Sequence, residues 1–478
     1  MNPSRYWLLL ATLLLSCQPE PPAGPLNVLF IAVDDLRPEF GAYGATHIQA
    51  PNLDRLAAEG VLFERAYCNV PVCGSSRASL LSGMRPGWRR FPGAYNTYLS
   101  EDAPEAISLP RHFRQHGYHT LSLGKVYHHA DDDTLAWDTV WRPRPRNESG
   151  GRDYHTAENI ALNRSRTSRG LPYERAPLPD STYYDGRIAN EAIASLERLA
   201  GQDQPFFLAV GFLKPHLPFN APEKYWALYD SLDIQLPASY QQPASTPREA
   251  FHSFGELRNY AAVPKEGPVP DRLARTLIHG YYAAVSYTDA QIGKLLSALE
   301  EKGLAERTVV VLWGDHGWNL GEHQLWCKHC NFETALRVPM LLRIPGETPG
   351  KRISAITELI DLYPTLTDLA GLPQPTHLDG ESLLPLLRGE GRAKDYAVAK
   401  YWAGATLIRD HWFYTEWIND SAEIQASMLF DHRRDAQELH NLTQVPGMED
   451  TVQALHTFLR AHWGDAFFPQ PDSIPATP

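Results

Sequence analysis

The sequence predicts an α/β protein with a large mixed, mainly parallel sheet flanked by helices and a small C-terminal antiparallel α+β subdomain. Three observations carry this reading. Several segments are continuously apolar and rich in β-branched residues, as strands buried on both faces are. Helical periods lie between those segments. After the polar stretch Arg388 to Lys394, short strand-like runs alternate with turn residues.

The elements follow in chain order. Arg5 precedes an apolar run from Tyr6 to Leu15, broken only by Thr12 and too short to span a bilayer. The run ends in Leu14-Leu15-Ser16-Cys17, the pattern of a bacterial lipoprotein signal, where cleavage leaves Cys17 to carry lipid. Residues 1–16 are thus expected to be a signal peptide and the Pro-rich 17–25 a tether. The expected location is an exported bacterial lipoprotein, periplasmic or on the cell surface, held to the membrane by its lipid anchor only.

Residues 26–390 are expected to form the catalytic domain and 391–478 the C-terminal subdomain. Asn27 to Val33, His119 to Lys125, Pro205 to Phe212 and Arg307 to Gly317 read as strands. Pro51 to Glu59 reads as a helix, with proline in its first turn and Gly60 as its stop. Gly186 to Leu199 and Tyr282 to Leu299 also read as helices. Beyond residue 394, "DYAVAKYW", "ATLIRD", "WFYTEW" and "SMLFD" read as a small antiparallel sheet.

Composition narrows the function. A hydrophobic fraction of 43% and 12 tryptophans suffice for a sizeable core, and a formal net charge of −12 argues against nucleic acid. An anionic substrate would need a local cluster of basic residues. The five cysteines are Cys17, Cys68, Cys73, Cys327 and Cys330, too few for a disulfide scaffold. Cys327-x-x-Cys330 lacks the second pair a zinc site needs. A local disulfide, one with Cys68, or free buried thiols remain open.

The expected strands end in reactive residues: Asp34-Asp35, Lys125, Lys214 with His216, and Asp315-His316. In parallel sheets ligands gather at such carboxyl ends. Adjacent buried carboxylates repel each other, and a bound cation resolves the repulsion. Mostly oxygen ligands favour calcium or magnesium, and His316 leaves zinc or manganese open. Cys73 opens an apolar helical run with Arg77 four residues on. By physics alone it is either a thiolate nucleophile helped by the helix dipole and Arg77, or a small core hydrophobe.

These residues also resemble a known family. Cys73-Gly74-Ser75-Ser76-Arg77, followed by "ASLLSG", is similar to the signature of the type I, formylglycine-dependent sulfatases. Further matching stretches are "LFIAVDDLRPEFGAYG", "APNLDRLAAEGVLFERAY", "GKVYHH", "FLKPHLPF", "GDHGWNLGEH", "ELIDLYPTLTDLAGL" and "LFDHRRDAQELHNL". "DDLRPE", "KPHLPF" and "LGEHQLWCKHCNF" lean toward iduronate 2-sulfatase-like members rather than arylsulfatases. Two positions depart from the common pattern. Ser75 stands where proline or alanine is usual, and His316 where many members carry asparagine.

The resemblance implies an alkaline-phosphatase-like fold and hydrolysis of sulfate monoesters on a saccharide. It implies that a maturation enzyme oxidises Cys73 to formylglycine, whose hydrate supplies the nucleophilic hydroxyl. It also implies one calcium ion bound by Asp34, Asp35, Asp315, His316 and the residue at 73. Arg77 and Lys125 would hold the hydrate, His128 would bond one hydroxyl, and His216 and Lys328 would contact the sulfate, with His216 as the acid. The expected substrate is a terminal 2-O-sulfated uronic acid, its carboxylate met by Lys214 and its ring by Trp318 and Trp326. The rival expectations are a phosphonate or phosphodiester hydrolase of the same superfamily, and a non-catalytic carbohydrate-binding lipoprotein.

Overall fold

The computed structural model describes residues 24–467 apart from 94, 148–149, 166–168, 392–393, 420 and 422. The signal peptide, Cys17 and the tether as far as residue 23 lie outside the described residues.

A nine-stranded sheet forms the centre of the molecule. At its heart Asn27–Val33 lies parallel between Phe206–Phe212 and Thr308–Gly314, and all three strands are buried along their full length. This is why they read as unbroken apolar runs: neither face meets water. Side chains alternate between two cores. Phe30, Phe207, Val311 and Trp313 pack on one face, and Leu29, Ile31, Val210 and Leu312 on the other. Each such side chain contributes about 1.5–3 kcal/mol by leaving water. His119–Gly124 and Thr139–Trp141 extend the parallel side. Met340–Arg343 runs antiparallel to Thr308–Gly314 and makes the sheet mixed.

Helices cover both faces. Pro51–Glu59 ends at Gly60, as its proline and glycine predict. The second expected helix spans Tyr184–Leu199. The third runs Asp271–Glu301, 31 residues, and begins eleven residues before the expected Tyr282. Its added turns bury Ala274, Leu277, Ile278 and Tyr281 at helical spacing.

The C-terminal strands Tyr396–Tyr401, Gly404–Arg409, Trp412–Ile418 and Ile424–Asp431 form a sequential antiparallel sheet. One face carries Leu407, Tyr414 and Leu429 against Leu455 and Leu459 of the Glu449–Phe467 helix. The other face carries Ile408, Phe413 and Phe430 into the same core as Phe332 and Leu336 of the larger part. Of the cysteine alternatives, the structure selects the last: Cys68, Cys73, Cys327 and Cys330 are buried free thiols.

Candidate active site

Register brings the reactive residues together. Val33 pairs with Phe212 on one side and with Gly314 on the other, so the three central strands end level. Asp34-Asp35, the loop with Lys214 and His216, and Asp315-His316 therefore leave the sheet side by side. Gly124 pairs with Gly211, which delivers Lys125 to the same edge. Facing them is Cys73, the first residue of the wholly buried Cys73–Ser82 helix. Its Sγ lies 3.2 Å from His316 Nε2 and 3.9 Å from Asp35 Oδ1. Ser75, in the same first turn, is also buried and bonds Thr97 Oγ1 at 2.9 Å.

Burial pushes the Cys73 thiol up to about 12, so it stays protonated at ordinary pH. Arg77 is not turned toward it. The guanidinium gives Nε to Asp315 Oδ2 (2.9 Å), Nη2 to Asp34 Oδ1 (3.1 Å), and Nη1 to the carbonyls of Lys125 (2.5 Å) and Val126 (2.9 Å). The thiolate reading of Cys73 is thereby withdrawn. Arg77 instead fixes the two acidic strand ends relative to each other, a task that its rigid fork suits.

The carboxylates differ. Burial disfavours charge on Asp34, but Lys125, at 2.5 Å, His216 and Arg77 outweigh it and hold that carboxyl well below the usual range. Asp35 is pushed up to about 7 by burial, against the pull of His216 and Lys328. Its backbone is left-handed, φ 61, and its N–H donates to Asp315 Oδ1 at 3.0 Å. A non-glycine residue held there is strained by about 1–3 kcal/mol, a cost met at functional sites.

A divalent cation fits these donors. His316 Nδ1 donates to the Gly317 carbonyl at 2.9 Å, so Nε2 presents its lone pair to Asp35 Oδ1 at 3.4 Å and Asp315 Oδ1 at 3.7 Å. A lone pair buried against carboxylate oxygens is stable only with a cation or proton between them. Ligand atoms of Asp34, Asp35, Cys73 and His216 lie within 4.8 Å of one another, as do those of Cys73, Asp315 and His316. Oxygen predominates, which suits a hard cation.

The remaining predicted residues ring this centre. Lys328 is buried, with Nζ 3.1 Å from Asp35 Oδ1 and 3.1 Å from Glu256 Oε2. His216 Nδ1 bonds the Leu217 carbonyl at 2.6 Å, while Nε2 lies 3.1 Å from Glu256 Oε1. Burial and the Lys125 charge lower His128 to about 3, so its ring is neutral, and its buried Nδ1 has no hydrogen-bond partner among the described residues. Glu256 was missed by sequence reasoning. It sits on the short Gly255–Arg258 helix, away from every strand end, and no local motif marks it. Lys328 and His216 hold its carboxylate well below the usual range despite burial.

Three predicted residues are corrected. Trp318 and Trp326, 1% and 2% exposed, pack in the core. Trp318 lies beneath Lys328, 4.9 Å from ring centroid to Nζ, and offers no face to a sugar. Lys214 is buried too, and its ammonium donates to the carbonyls of His216 and Pro218 at 2.6 Å each. It braces the loop that carries His216 instead of reaching for substrate. The cleft above the centre, about 700 Å³, is lined instead by Tyr95, His128, Arg152, Arg169, Glu256 and Tyr401 among others.

The family profile described as Sulfatase matches residues 26–372. The chain belongs to the sulfatase family. A second profile, N-sulphoglucosamine sulphohydrolase C-terminal, matches residues 321–463. This sulfatase is 35% identical to iduronate 2-sulfatase of Mus musculus over 389 residues, 73% of this chain and 69% of that one. A solved 2-O GAG sulfatase superposes with TM-score 0.70 at 23% identity, covering 92% of this chain and 93% of its own. A phosphonate monoester hydrolase from Silicibacter pomeroyi does so with TM-score 0.70 at 22% identity, covering 91% and 95%. The fold is the alkaline-phosphatase-like one, and the sulfatase hydrolyses sulfate esters.

Proposed function

We propose that this sulfatase removes sulfate from the terminal residue of a sulfated saccharide, preferring a 2-O-sulfated uronic acid, with formylglycine formed from Cys73. The observation that supports this reading is the convergence on Cys73 of three carboxylates, His316 and two lysines, with an open cleft above. Formylglycine would supply a hydrated aldehyde as oxygen nucleophile, and a divalent cation, calcium by family resemblance, would supply electrophilic stabilisation. Asp34, Asp35, Asp315 and His316 would hold that cation with the residue at 73.

The chain's own groups do the rest. Lys125 and Lys328 offset the charge that collects on sulfate oxygens, and their ammonium groups are already fixed by Asp34 and Asp35. His128 is neutral, and its Nδ1 has no partner among the described residues, which suits it to bond a hydroxyl on residue 73. His216 is steered by Leu217 and Glu256 and would deliver its Nε2 proton to the leaving alkoxide. Arg152 and Arg169 on the cleft wall would meet a sugar carboxylate, the role first expected of Lys214.

The test compares kcat/KM for 2-O-sulfated iduronate, a neutral 6-O-sulfated hexosamine and an aryl phosphate diester, with peptide masses across residue 73 from the same preparation. We expect the formylglycine mass and at least a tenfold preference for the uronate. An unmodified thiol in fully active protein would sink the mechanism. Equal rates on both sugars would leave a sulfatase without the uronate preference. The proposed anchor is tested separately: Cys17→Ala should release the protein from membranes.

A further inference from the structure

We propose that a second cleft is an exosite for the acidic groups, sulfate or carboxylate, of a saccharide chain. It has a volume of about 500 Å³ and shares no residue with the catalytic cleft. Its walls are the Val61–Tyr67 and Arg337–Val338 strands and the turns at Asp410-His411 and His432-Arg433 of the C-terminal sheet. The site is therefore built jointly by the two sheets.

Arg65, Arg337, Arg352 and Arg433 converge there with the carboxylates of Glu64, Glu333 and Asp410. Arg352 pairs with Glu64 at 2.8 Å and Arg433 with Asp410 at 2.9 Å. Glu333 faces His432 at 3.8 Å. Arg65 and Arg337 have no carboxylate in ion-pair contact among the described residues. Arg65 donates to the Asp410 carbonyl and Arg337 Nε to the Glu64 carbonyl at 2.9 Å. Those backbone bonds fix both guanidinium planes before any ligand arrives, and the Tyr43 ring lies 5.8 Å from that of Arg337.

Two guanidinium groups, each held by a backbone bond and in no ion pair among the described residues, are poised to chelate an oxyanion. In a chain of net charge −12 they stand out from the general surface. His432 is stacked on Phe413 at 3.8 Å, which adds ring surface to the cleft wall. Tyr67 on its wall lies six residues before Cys73, so the two Cα atoms are at most about 22 Å apart. The choice of a saccharide as occupant rests on the substrate class proposed above, whereas the anion chemistry does not.

The test is calorimetric titration of the full chain with a dextran sulfate oligosaccharide and, separately, with sodium sulfate. The variants are Arg65→Gln/Arg337→Gln together and Arg433→Gln alone, each checked by circular dichroism. The double variant should bind the oligosaccharide at least tenfold more weakly, while turnover of a small sulfate ester stays within twofold. Unchanged affinity in a folded double variant would overturn the exosite. Sodium sulfate binding as tightly as the oligosaccharide would overturn the saccharide assignment. If the double variant does not fold, Arg433→Gln and Arg352→Gln, whose side chains are 65% and 52% exposed, give the same reading. A loss of about threefold in each supports the site, and no loss refutes it. Should wild-type protein bind the oligosaccharide through these arginines yet hydrolyse no sulfated sugar, the substrate proposal fails and the exosite stands.

Discussion

Arg77 shows how much a single side chain carries here. It is fully buried and divides its donors among Asp34, Asp315 and two carbonyls of the Lys125 loop. Arg77→Lys keeps the charge but loses the fork, so at least one carboxylate stays buried without a partner. We expect about 3 kcal/mol or more of lost stability in urea unfolding and turnover at least 100-fold lower. Normal unfolding with normal turnover would show that the fork is dispensable. Lys214 makes a different prediction. Lys214→Met leaves the His216 carbonyl without the ammonium donor, at about 1–3 kcal/mol, while the Pro218 carbonyl keeps the Asn220 amide at 2.8 Å. Because the ammonium is turned away from the cleft, rates on charged and neutral sugars should fall by the same factor. A selective loss on the uronate would return Lys214 to substrate binding. That Cys73, Asp34, Asp35, Asp315 and His316 come together was legible because strand ends and a motif mark them. The misreading of Lys214, Trp318 and Trp326 has one physical cause: a sequence fixes which residues lie near a site, but not which way each side chain points.

At the scale of elements, two strands touch with no room for a side chain. A Cβ at Gly211 would lie 1.9 Å from the Lys125 carbonyl oxygen, the same oxygen that accepts from Arg77 Nη1. Gly211→Ala must therefore push the Lys125 segment off the Phe206–Phe212 strand. We expect a loss of about 1–3 kcal/mol with a clear fall in turnover, since Lys125 is displaced from Asp34. Gly117→Ala is the control. It is strained by its φ of 88 but meets nothing within 4 Å, so it should lower stability by roughly 1 kcal/mol and leave turnover alone. Equal turnover losses in both would show that backbone strain, not the close approach, is responsible. The central strands were readable because burial on both faces leaves an uninterrupted apolar signature. The first turns of the Asp271–Glu301 helix were not, because Gly280, a poor helix former, interrupts an otherwise regular amphipathic run through Ala274, Leu277, Ile278 and Tyr281. Gly280 is explained only by packing: a Cβ would come within 2.8 Å of Trp226.

For the whole molecule, the junction of the two sheets is a buried ionic cluster around Glu358, the last residue of the Lys351–Glu358 strand. Its carboxylate takes bonds from Arg85 and Lys394 at 2.5 Å each and from the Val398 amide of the C-terminal sheet at 3.2 Å. Asn69 ties the same place together, donating to Glu358 Oε1 at 2.7 Å and to the Val398 carbonyl at 2.9 Å. Nothing in the sequence announced this joint, since its members are scattered from Asn69 to Val398 and only the fold assembles them. Burial opposes the Glu358 charge, but Lys394 and Arg85 more than offset it and hold the group at about 2, below its ordinary 4.5. A depressed carboxyl pKa adds stability that is present above pH 4.5 and is lost as pH falls through 2. Asp361 shares Lys394 yet is pushed up by burial, so Glu358 is the acid-sensitive half of the pair. Wild-type protein should therefore lose melting temperature steeply between pH 4.5 and 2, with the Val398 amide losing exchange protection over the same range. Glu358→Gln should start less stable at pH 7 and show a flatter profile in that window. An identical pH slope in the variant would place the acid sensitivity elsewhere, and unchanged Val398 protection at pH 3 would mean that the sheets are held together by their shared apolar core.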